Sequence, residues 1–381
     1  MKKILFVSNR NPFSGRYSGD VIRAKKIVNY LSKNNFVKVV SINESNIKKK
    51  YSRLSYQGFR NENLLFKIFN IILSLINFKP MQLGYFFSSN IKDYIKDNYY
   101  KYDILFFQSF RTAQYLPNNI NKKNILDMAD LVSANYNQTS KQLFFLNPVK
   151  LVYFFEFLLL KKYEDFCFKT FHKILLHSKK EIKNTNKLYH KKIIQYPFGV
   201  DQIKKKFKFS KNNYKIIFIG NIRYVPNKRA CYNFANKILP LINKKYPDIE
   251  FHIIGEIAKI DKLVLKNKKN VKVLGQINKL EPYLEKVICG LANLDISSGI
   301  QTKLLTYMSF GIPSISSRQV AENFDAIKNS KIIYYKNDQE LITKIIKLKN
   351  NKNFSVSTSK RSLLNIKKLR WEKVLSFLDK I

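Results

Sequence analysis

The stretch SSGIQTKLLTYMSFGIPSISS at residues 297–317 carries the strongest signal for the fold. Residues 301–303 open a short predicted helix with one apolar face, and Gly311 ends it. The first amides of a helix have no partners within it, so a preceding glycine and an adjacent lysine favour a bound phosphate. The pattern therefore predicts a cradle for a nucleotide diphosphate. An ordinary strand, turn and helix with a surface lysine explains the same residues equally well.

Strand and helix patterns alternate on both sides of this stretch. Short runs that predict buried parallel strands lie at residues 2–8, 37–43, 103–109, 124–130, 173–178, 215–221, 250–256, 271–277, 288–297 and 313–317. A proline, a glycine and a lysine run within residues 195–213 mark a domain boundary. The sequence therefore predicts an α/β protein with two doubly wound parallel-sheet domains. We expect them to face across a cleft formed by the loops at the carboxyl ends of the strands.

The chain is strongly basic. Its 381 residues include 70 Lys+Arg against 26 Asp+Glu, a formal net charge of +44, so it must attract anions. The lysines are spread along the chain together with abundant Asn, Ile, Tyr and Phe, a composition typical of a genome rich in A and T. We therefore predict no specific nucleic-acid surface. A non-enzymatic polyanion-binding protein remains an alternative function.

Cysteines and apolar segments indicate the compartment. The three cysteines are isolated and read as free thiols in a reducing compartment, and the N-terminal apolar run predicts a strand rather than a signal peptide. No apolar run is long enough for a transmembrane helix. We expect a cytoplasmic protein, with peripheral contact at the inner face of an anionic membrane as an option. The most apolar segment, residues 64–88, predicts a helix that packs in the core, and a helix resting on a membrane surface is the alternative.

Acidic and histidine side chains provide few candidates for chemistry. Asp127 and Asp130 follow a predicted strand, where an open α/β sheet places ligand contacts, although a helix N-cap explains Asp130 as well. The four histidines are scattered without a metal-binding spacing, and His177 is interpreted as structural. The sequence therefore predicts no metal site and no cofactor.

Several motifs of the second half resemble glycosyltransferase family 4. They are FIGNIRYVPN (218–227), ILPLINKKYPDIEFHIIGE (238–256), VKVLGQINKLEPYLEKV (271–287) and SGIQTKLLTYMSFGIPSIS (298–316). YPFGVD (196–201) is similar to the linker of that family, SGDVIR (18–23) to its first glycine loop, and WEKVL (371–375) to its final helix. The resemblance is strong over residues 195–320 and weaker in the first half.

The resemblance implies a GT-B fold and retaining transfer of a sugar from a nucleotide-sugar donor to an acceptor hydroxyl, without a metal. The acceptor would be a glycan or a lipid-linked molecule in the synthesis of a surface polysaccharide or lipopolysaccharide. The implied domains are an acceptor-side domain at 1–195, a nucleotide-sugar domain at 196–362, and a helix at 363–381 that returns to the first domain. A nucleotide-sugar epimerase of the same architecture is the alternative enzyme.

Site residues follow from the same resemblance. Lys303 would meet the donor phosphates, and we assign it a catalytic role. Asp127 and Asp130 are also assigned catalytic roles, from their position after a predicted strand rather than from the resemblance. Gly19 and Asp20 would lie near the acceptor and the diphosphate. The implied donor-binding residues are Gly220, Asn221, Arg223, Lys228, Glu256, Gln276, Ser298, Gly299, Ile300, Gln301, Thr302, Lys303 and Thr306.

Two departures from the family pattern concern the donor site. Ser298 and Thr306 stand where many members place a pair of glutamates, the second of which binds the donor ribose. A hydroxyl replaces that contact without the charge-assisted bond. Asn221 stands where members commonly carry an arginine, and Arg223 and Lys228 are close enough in sequence to replace it. We therefore expect an altered donor preference or a weakened enzyme.

Overall fold

A computed structural model describes residues 1–15, 18–118, 120–142, 147–201, 207–277, 279–295, 301–322, 324 and 332–380. The chain forms two compact units. The first unit comprises residues 1–197 and 375–381, and the second comprises residues 198–374. Each unit is built around its own sheet.

The described strands of the first unit form one sheet in the order β3-β4-β2-β1-β5-β6-β7-β8. All neighbours are parallel except β3 and β4. β1 is buried on both faces because helices cover the sheet, and the strand order reverses there. The strands are β1 (Lys3–Ser8), β2 (Phe36–Asn43), β3 (Ile47–Lys50), β4 (Leu54–Arg60), β5 (Ile104–Gln108), β6 (Lys123–Ala129), β7 (Lys173–Leu176) and β8 (Ile193–Gln195).

The helices of the first unit connect these strands. The central helix α1 buries an apolar stripe at a spacing of three to four residues. The helices are α1 (Gly19–Leu31), α2 (Leu64–Ile76), α3 (Met81–Tyr85), α4 (Ser89–Asn98), α5 (Val132–Gln142), α6 (Pro148–Thr170) and α7 (Lys179–Lys183). A hydrophobic core around Leu105, Phe107 and Phe171 joins the sheet to these helices.

The described strands of the second unit form a fully parallel sheet in the order β11-β10-β9-β12-β13-β14. The order reverses at β9, which lies between β10 and β12. The strands are β9 (Lys215–Ile219), β10 (Glu250–Ile254), β11 (Val271–Gly275), β12 (Val287–Ala292), β13 (Ser314–Ser317) and β14 (Ile333–Tyr335). The helices are α8 (Val225–Asn233), α9 (Leu239–Asn243), α10 (Lys259–Lys266), α11 (Thr302–Ser309), α12 (Arg318–Glu322), α13 (Asp338–Asn350), α14 (Lys352–Ile366) and α15 (Trp371–Leu375).

The two sheets confirm the predicted fold class, and the ten predicted strand segments all contain a strand in the structure. Four strands, β3, β4, β8 and β14, were not predicted. β3, β8 and β14 have only three or four residues, and the seven residues of β4 mix polar side chains and a glycine with apolar ones, so local pattern does not distinguish these strands from loops.

The segment at 64–88 differs from the prediction of a core helix. α2 buries none of its residues, so the prediction that it packs in the core is wrong. Its partly buried positions include the polar residues Asn70 and Ser74, while most of its Leu, Ile and Phe side chains are exposed. No helix in the described part of the chain is both long and apolar enough to span a membrane.

The end of the chain is divided between the two units. Of the predicted returning helix at 363–381, residues 375–381 group with the first unit and residues 363–374 with the second. Trp371 explains this division, because its ring packs on Phe198 with centroids 5.1 Å apart. Arg370 also pairs with Val200 in an isolated parallel bridge, which ties this segment to the start of the second unit.

Candidate functional site

The reversal of strand order at β9 creates a crevice at the carboxyl end of the second sheet. Open α/β sheets bind ligands at such a point, outside the carboxyl ends of the strands. Gly220 and Asn221 follow β9 here, and Glu256 follows β10 shortly after. Thus several of the predicted donor-binding residues share one edge of this sheet.

The loops after β9 and β10 touch through their backbones. Gly255 has a φ of 136°, and a Cβ on it would lie only 1.9 Å from the carbonyl oxygen of Gly220. The Gly220 amide donates to Ile254 O at 2.9 Å, and the Ile222 amide donates to Glu256 O at 2.7 Å. Glycine is required at 255 because any side chain would push the two loops apart. Backbone atoms of these two loops therefore form this part of the crevice floor.

Lys303 enters this floor from the first turn of α11. Its side chain is buried, and its Nζ donates a 2.6 Å hydrogen bond to Asn227 Oδ1. The same Nζ lies 3.9 Å from the ring centroid of Phe218. A Cβ added to Gly220 would lie 3.5 Å from it. The ammonium is thus fixed beside the glycine loop by an amide and an aromatic face.

The burial of Lys303 perturbs its titration. Loss of hydration lowers the pKa of its ammonium to about 7. No carboxylate among the residues that the structure describes forms an ion pair with it. A cation held without a countercharge in an apolar environment attracts an anion strongly, because the low dielectric leaves the charge unscreened.

Tyr307 anchors the helix that carries Lys303. Its hydroxyl donates to Leu291 O at 3.1 Å and accepts from the Ile219 amide at 2.9 Å, so it bridges β12 and β9. Tyr307 lies one turn after Lys303 on the same side of α11. The first turn of α11 is therefore held in a constant position over the switch point.

Polar side chains line the rim of the β9 loop. Asn221 Nδ2 donates to Glu256 Oε2 at 3.3 Å, and Asn221 Oδ1 accepts from the Arg223 amide at 2.9 Å. Arg223 Nε lies 3.5 Å from Glu256 Oε1, and its side chain is well exposed. Asn227 Nδ2 donates to Asn221 O at 2.7 Å, which connects this rim to the partner of Lys303.

The remaining predicted donor residues are placed as follows. Lys228 pairs with Asp261 at 2.7 Å, so its charge is already used within the unit. Gln276 is exposed after β11. Gln301 caps α11 and Thr302 starts it, while the Thr306 hydroxyl donates to Thr302 O at 3.1 Å. Ser298, Gly299 and Ile300 lie outside the described residues.

A second polar cluster lies at the carboxyl end of the first sheet. Its centre is Arg23 of α1, a buried guanidinium that forms an ion pair with Asp127 and donates to His177 Nε2. The guanidinium also lies 4.7 Å from the ring centroid of Tyr196. The Asp127 side chain is only 1% exposed. Its carboxylate therefore meets Arg23 rather than open space.

Asp130 keeps more contact with solvent than Asp127, since 32% of its side chain is exposed. Its Oδ1 lies 3.5 Å from His177 Nδ1. Burial lowers the pKa of His177 to about 4, and the charge of Arg23 adds to this effect, so the imidazole is neutral near pH 7. Arg23 can only donate, so Nε2 accepts and Nδ1 carries the proton toward Asp130.

A buried carboxyl group accompanies this cluster. Burial raises the pKa of Glu181 to about 9, with a further contribution from the charge of Asp130. Glu181 accepts a 3.3 Å bond from the Leu131 amide just after Asp130. We therefore assign Glu181 as a neutral acid at pH 7. Asp130 is the more accessible carboxyl group of the pair.

The start of α1 faces the end of β1. Gly19 is the first residue of α1, and Asp20 pairs with Arg10 at 2.9 Å across the β1–α1 loop. Gln108 at the end of β5 donates to Asp20 O at 2.9 Å and accepts from Ser8 Oγ at 2.6 Å. The loop is thus tied to the carboxyl ends of two strands.

Sequence reasoning missed several residues of these two clusters. Asn227, Phe218 and Tyr307 position Lys303, and Arg23 organises the first cluster. One signal was available, because Arg23 lies four residues before Ile27 within the buried stripe of α1, an unusual place for a charge. Among the described residues, no three His, Cys, Asp or Glu side chains group so that they could hold a metal ion.

Comparison with known proteins locates a family segment in the second unit. Residues 213–351 match the family model "Glycosyl transferases group 1". A curated relative from Klebsiella pneumoniae, described as an uncharacterized 44.6 kDa protein in cps region, is 30% identical over 109 residues. That alignment covers 28% of this chain and only 26% of the relative.

Solved structures resemble the whole chain at low sequence identity. Sucrose-phosphate synthase from Thermosynechococcus elongatus has a TM-score of 0.74 at 11% identity. The alignment covers 100% of this chain and 98% of the synthase. A trehalose-phosphate synthase from Burkholderia vietnamiensis scores 0.71 at 8% identity, with coverages of 100% and 96%. Anabaena HepE in complex with UDP-glucose scores 0.68 at 10% identity, with coverages of 100% and 99%.

These similarities agree with the architecture described above. At such identities the solved structures establish the fold and not the activity. The family segment spans β9, α11 and the Lys303 environment, which form the candidate site of the second unit. The chain therefore has a fold of the GT-B type, and residues 213–351 in its second unit match the family model of group 1 glycosyl transferases.

Proposed function

We propose that this chain is a retaining glycosyltransferase of family 4 that transfers a sugar from a nucleotide-sugar donor to a hydroxyl of a glycan or lipid-linked acceptor. The observation that carries the proposal is the buried Lys303 ammonium beside Gly220, within the segment that matches group 1 glycosyl transferases. The neighbour crystallised with UDP-glucose supports a nucleotide-sugar donor. The relative in a cps region supports a role in surface polysaccharide synthesis.

Lys303 would act on the leaving group. As the bond between sugar and diphosphate breaks, negative charge develops on the diphosphate. A preorganised ammonium and the first amides of α11 would stabilise that charge in a water-poor crevice, the type of effect that contributes most to many enzymes. A protein cation in this place would allow the reaction to proceed without a metal. The departing phosphate would help to deprotonate the acceptor hydroxyl, as the family resemblance implies.

The remaining assignments divide between the two units. Thr306 would contact the donor ribose in place of the second glutamate of the family, and Ser298 stands at the position of the first, so we expect weaker selection for the ribose. In the first unit Asp130 is the accessible carboxylate near the acceptor-side loop that begins at Gly19, whereas Asp127 neutralises Arg23. We therefore assign acceptor contact to Asp130 and a structural role to Asp127.

Calorimetric titration with UDP and with GDP at physiological salt tests the donor site. We expect saturable 1:1 binding of one of them, weakened about 10- to 100-fold in Lys303→Met, because a hydrogen bond to a charged group contributes roughly 1.5–3 kcal/mol. Lys349→Met is the matched control. Lys349 is also a buried lysine of the second unit, but its Nζ donates to Asn213 O at 2.9 Å far along the chain from α11.

Two results would contradict the donor site. Equal nucleotide affinity of wild type and Lys303→Met would show that Lys303 has only a structural role. Binding of a single-stranded oligonucleotide by a protein that binds neither UDP nor GDP would favour a polyanion-binding protein. The nucleotide that binds then selects the nucleotide sugars for a transfer assay. Retention at the anomeric carbon by NMR and activity in EDTA are expected. Conversion of the donor sugar without any acceptor would instead indicate an epimerase.

A further inference from the structure

The helix α2 presents most of its apolar side chains to solvent rather than to the first unit. Its partly buried side carries the polar residues Asn70 and Ser74 and the apolar residues Phe66 and Ile71, so most of the apolar surface of this helix is uncovered. At 100° per residue the exposed apolar side chains cover about half of the helix circumference. These residues are Leu64, Leu65, Ile68, Phe69, Ile72, Leu73, Leu75 and Ile76.

The N-terminal half of α6 has the same character. Its C-terminal half buries Leu160, Tyr163 and Cys167 against the core, as expected for a surface helix. The preceding three turns instead expose Val149, Leu151, Val152, Phe154, Phe155 and Leu158. One helix therefore changes from a covered apolar face to an uncovered one along its length.

The two exposed faces belong to one region of the first unit. Glu156 of α6 accepts from the Met81 amide of α3 at 2.9 Å. Gly84 of α3 approaches α2 so closely that a Cβ there would lie 2.2 Å from a carbonyl oxygen of α2. Phe78, just after α2, has the Lys162 Nζ of α6 5.6 Å from its ring centroid. We name the exposed apolar residues of α2 and of residues 149–158 the α2/α6 surface.

Positive charge surrounds the α2/α6 surface. Five lysines lie within α2 and α6 or shortly after α2 in sequence, and residues 64–80 contain no acidic residue. Within residues 148–163 the acidic residue is Glu156, which is buried. The segments that form the surface therefore combine exposed apolar residues with an excess of positive charge. The five lysines are Lys67, Lys79, Lys150, Lys161 and Lys162.

We propose that the first unit docks on an anionic lipid bilayer through the α2/α6 surface. Exposed apolar patches of this kind mark interaction sites, and lysines next to them favour anionic headgroups. A symmetric contact with a second copy would place the same lysines against each other in a chain of net charge +44, which disfavours a dimer through this surface. Charge complementarity therefore selects the bilayer.

The dimensions of α2 define how it would lie. Its 13 residues span about 20 Å at 1.5 Å per residue, less than the roughly 30 Å core of a bilayer. A helix of this length with one apolar side lies in the plane of the interface, with its apolar side chains below the headgroups. Docking would bring the protein to a lipid-linked acceptor, a consequence that rests on the proposed function, whereas docking itself does not.

Vesicle flotation of the full chain tests the proposal. We expect it to float with vesicles of phosphatidylglycerol mixed into phosphatidylcholine, and much less with phosphatidylcholine alone. Serine at Leu65, Phe69, Leu151 and Phe155 together should reduce binding at least about tenfold, since each large apolar side chain contributes to insertion. All four are exposed, so the variant should keep the thermal unfolding transition of the wild type.

Matched controls come from apolar residues exposed elsewhere. Leu188, Ile260, Leu263 and Leu364 are 80, 76, 64 and 63% exposed, against 79, 58, 60 and 61% for Leu65, Phe69, Leu151 and Phe155. Serine at these four positions should leave flotation unchanged. For the charges, glutamine at Lys79, Lys150 and Lys161 should reduce the preference for anionic vesicles, whereas glutamine at Lys262, Lys266 and Lys268 should reduce it less.

Fluorescence separates insertion from adsorption. The single native tryptophan, Trp371, is buried, so Phe155→Trp adds a reporter on the α2/α6 surface. Acyl chains brominated near the headgroup should quench it. Absence of quenching in bound protein would contradict insertion of the apolar side chains. Equal flotation of the four-serine variant and the wild type would contradict the assignment of lipid binding to the α2/α6 surface.

Light scattering and nucleotide titration complete the test. A wild-type dimer that the four serines convert to a monomer, without vesicle binding by either, would assign the surface to self-association and overturn the proposal. The four-serine variant should bind its nucleoside diphosphate like the wild type. Loss of nucleotide binding in Lys303→Met with normal flotation tests the proposed function alone, so the two failures are distinguishable.

Discussion

Each unit buries a cation near the point where its strand order reverses, but the two cations have different partners. In the first unit Arg23 forms an ion pair with the buried Asp127 and also contacts His177. In the second unit Lys303 donates to the neutral amide of Asn227. Similar folds therefore treat a buried positive charge in two ways.

The difference determines what each charge is available for. Arg23 is neutralised within the fold by Asp127, and burial lowers the pKa of its guanidinium from the ordinary value. Lys303 has no such partner, and burial lowers the pKa of its ammonium to about 7. The first cation is suited to holding α1 on the sheet, and the second to receiving an anion from outside.

The largest expected effect is on the stability of the first unit. Asp127→Asn leaves Arg23 as a buried charge without a countercharge, which should reduce the free energy of unfolding by about 3–5 kcal/mol. Urea denaturation followed by circular dichroism measures it. Lys303→Met removes a buried charge and leaves no other charge without a partner, so it should not destabilise its unit in this way. A loss below about 1 kcal/mol for Asp127→Asn would contradict the assigned ion pair.

The next variant gives Lys303 the kind of partner that Arg23 has. Asn227→Asp places a carboxylate at the atom that accepts from Lys303 Nζ at 2.6 Å. It should raise the pKa of Lys303 and reduce affinity for a nucleoside diphosphate about 10- to 100-fold, because the charge is neutralised and the new anion repels phosphate. Titration calorimetry measures the affinity.

A control for Asn227→Asp adds the same charge elsewhere in the second unit. Asn350 is exposed and donates to the Tyr246 hydroxyl at 2.6 Å, so Asn350→Asp should leave nucleotide affinity nearly unchanged. Equal affinity of Asn227→Asp and wild type would show that the charge of Lys303 is not used for the nucleotide.

A smaller effect is expected from pH. Because the pKa of Lys303 is about 7 without a ligand, most of the protein must take up a proton to bind an anion above that pH. Affinity should therefore fall as pH rises above 7, by at most about tenfold per unit, until the pKa of the bound state is reached. Calorimetry in two buffers of different ionisation enthalpy should detect proton uptake.

Lys303→Arg is the control for the pH effect. Its guanidinium stays charged over this range, so any affinity that it retains should not vary with pH in the same way. A wild-type affinity that is flat between pH 7 and 8.5, with no proton uptake, would contradict a titrating lysine at the site.

The smallest effect concerns an exposed ion pair near the first cluster. Arg10 and Asp20 are 2.9 Å apart, but nearly half of each side chain is exposed. Asp20→Asn should change the free energy of unfolding by less than about 1 kcal/mol, because exposed pairs are screened by solvent. The same urea denaturation measures it beside Asp127→Asn. If Asp20→Asn lost as much free energy of unfolding as Asp127→Asn, burial would not explain the difference between the two ion pairs.

Most of the strands and the position of Lys303 on a short helix were predictable because both depend on local pattern. Alternating apolar runs identify parallel strands, and Gly311 ends α11 with a φ of 69°. The exposure of α2 was not predictable in this way. Its periodicity shows that it has an apolar face, but periodicity does not state which way that face points.

Local sequence pattern also does not show which residues pair with each other in the folded chain. Lys303 and Asn227 are 76 residues apart in sequence, and Arg23 and His177 are 154 apart. The sheets bring them together because the carboxyl ends of parallel strands meet at one edge, whatever the distance along the chain. The sequence alone thus identifies most of the strands and helices and the residues whose side chains can take part in chemistry. Folding determines which charge is neutralised and which is left for a ligand, since burial and pairing depend on distant neighbours.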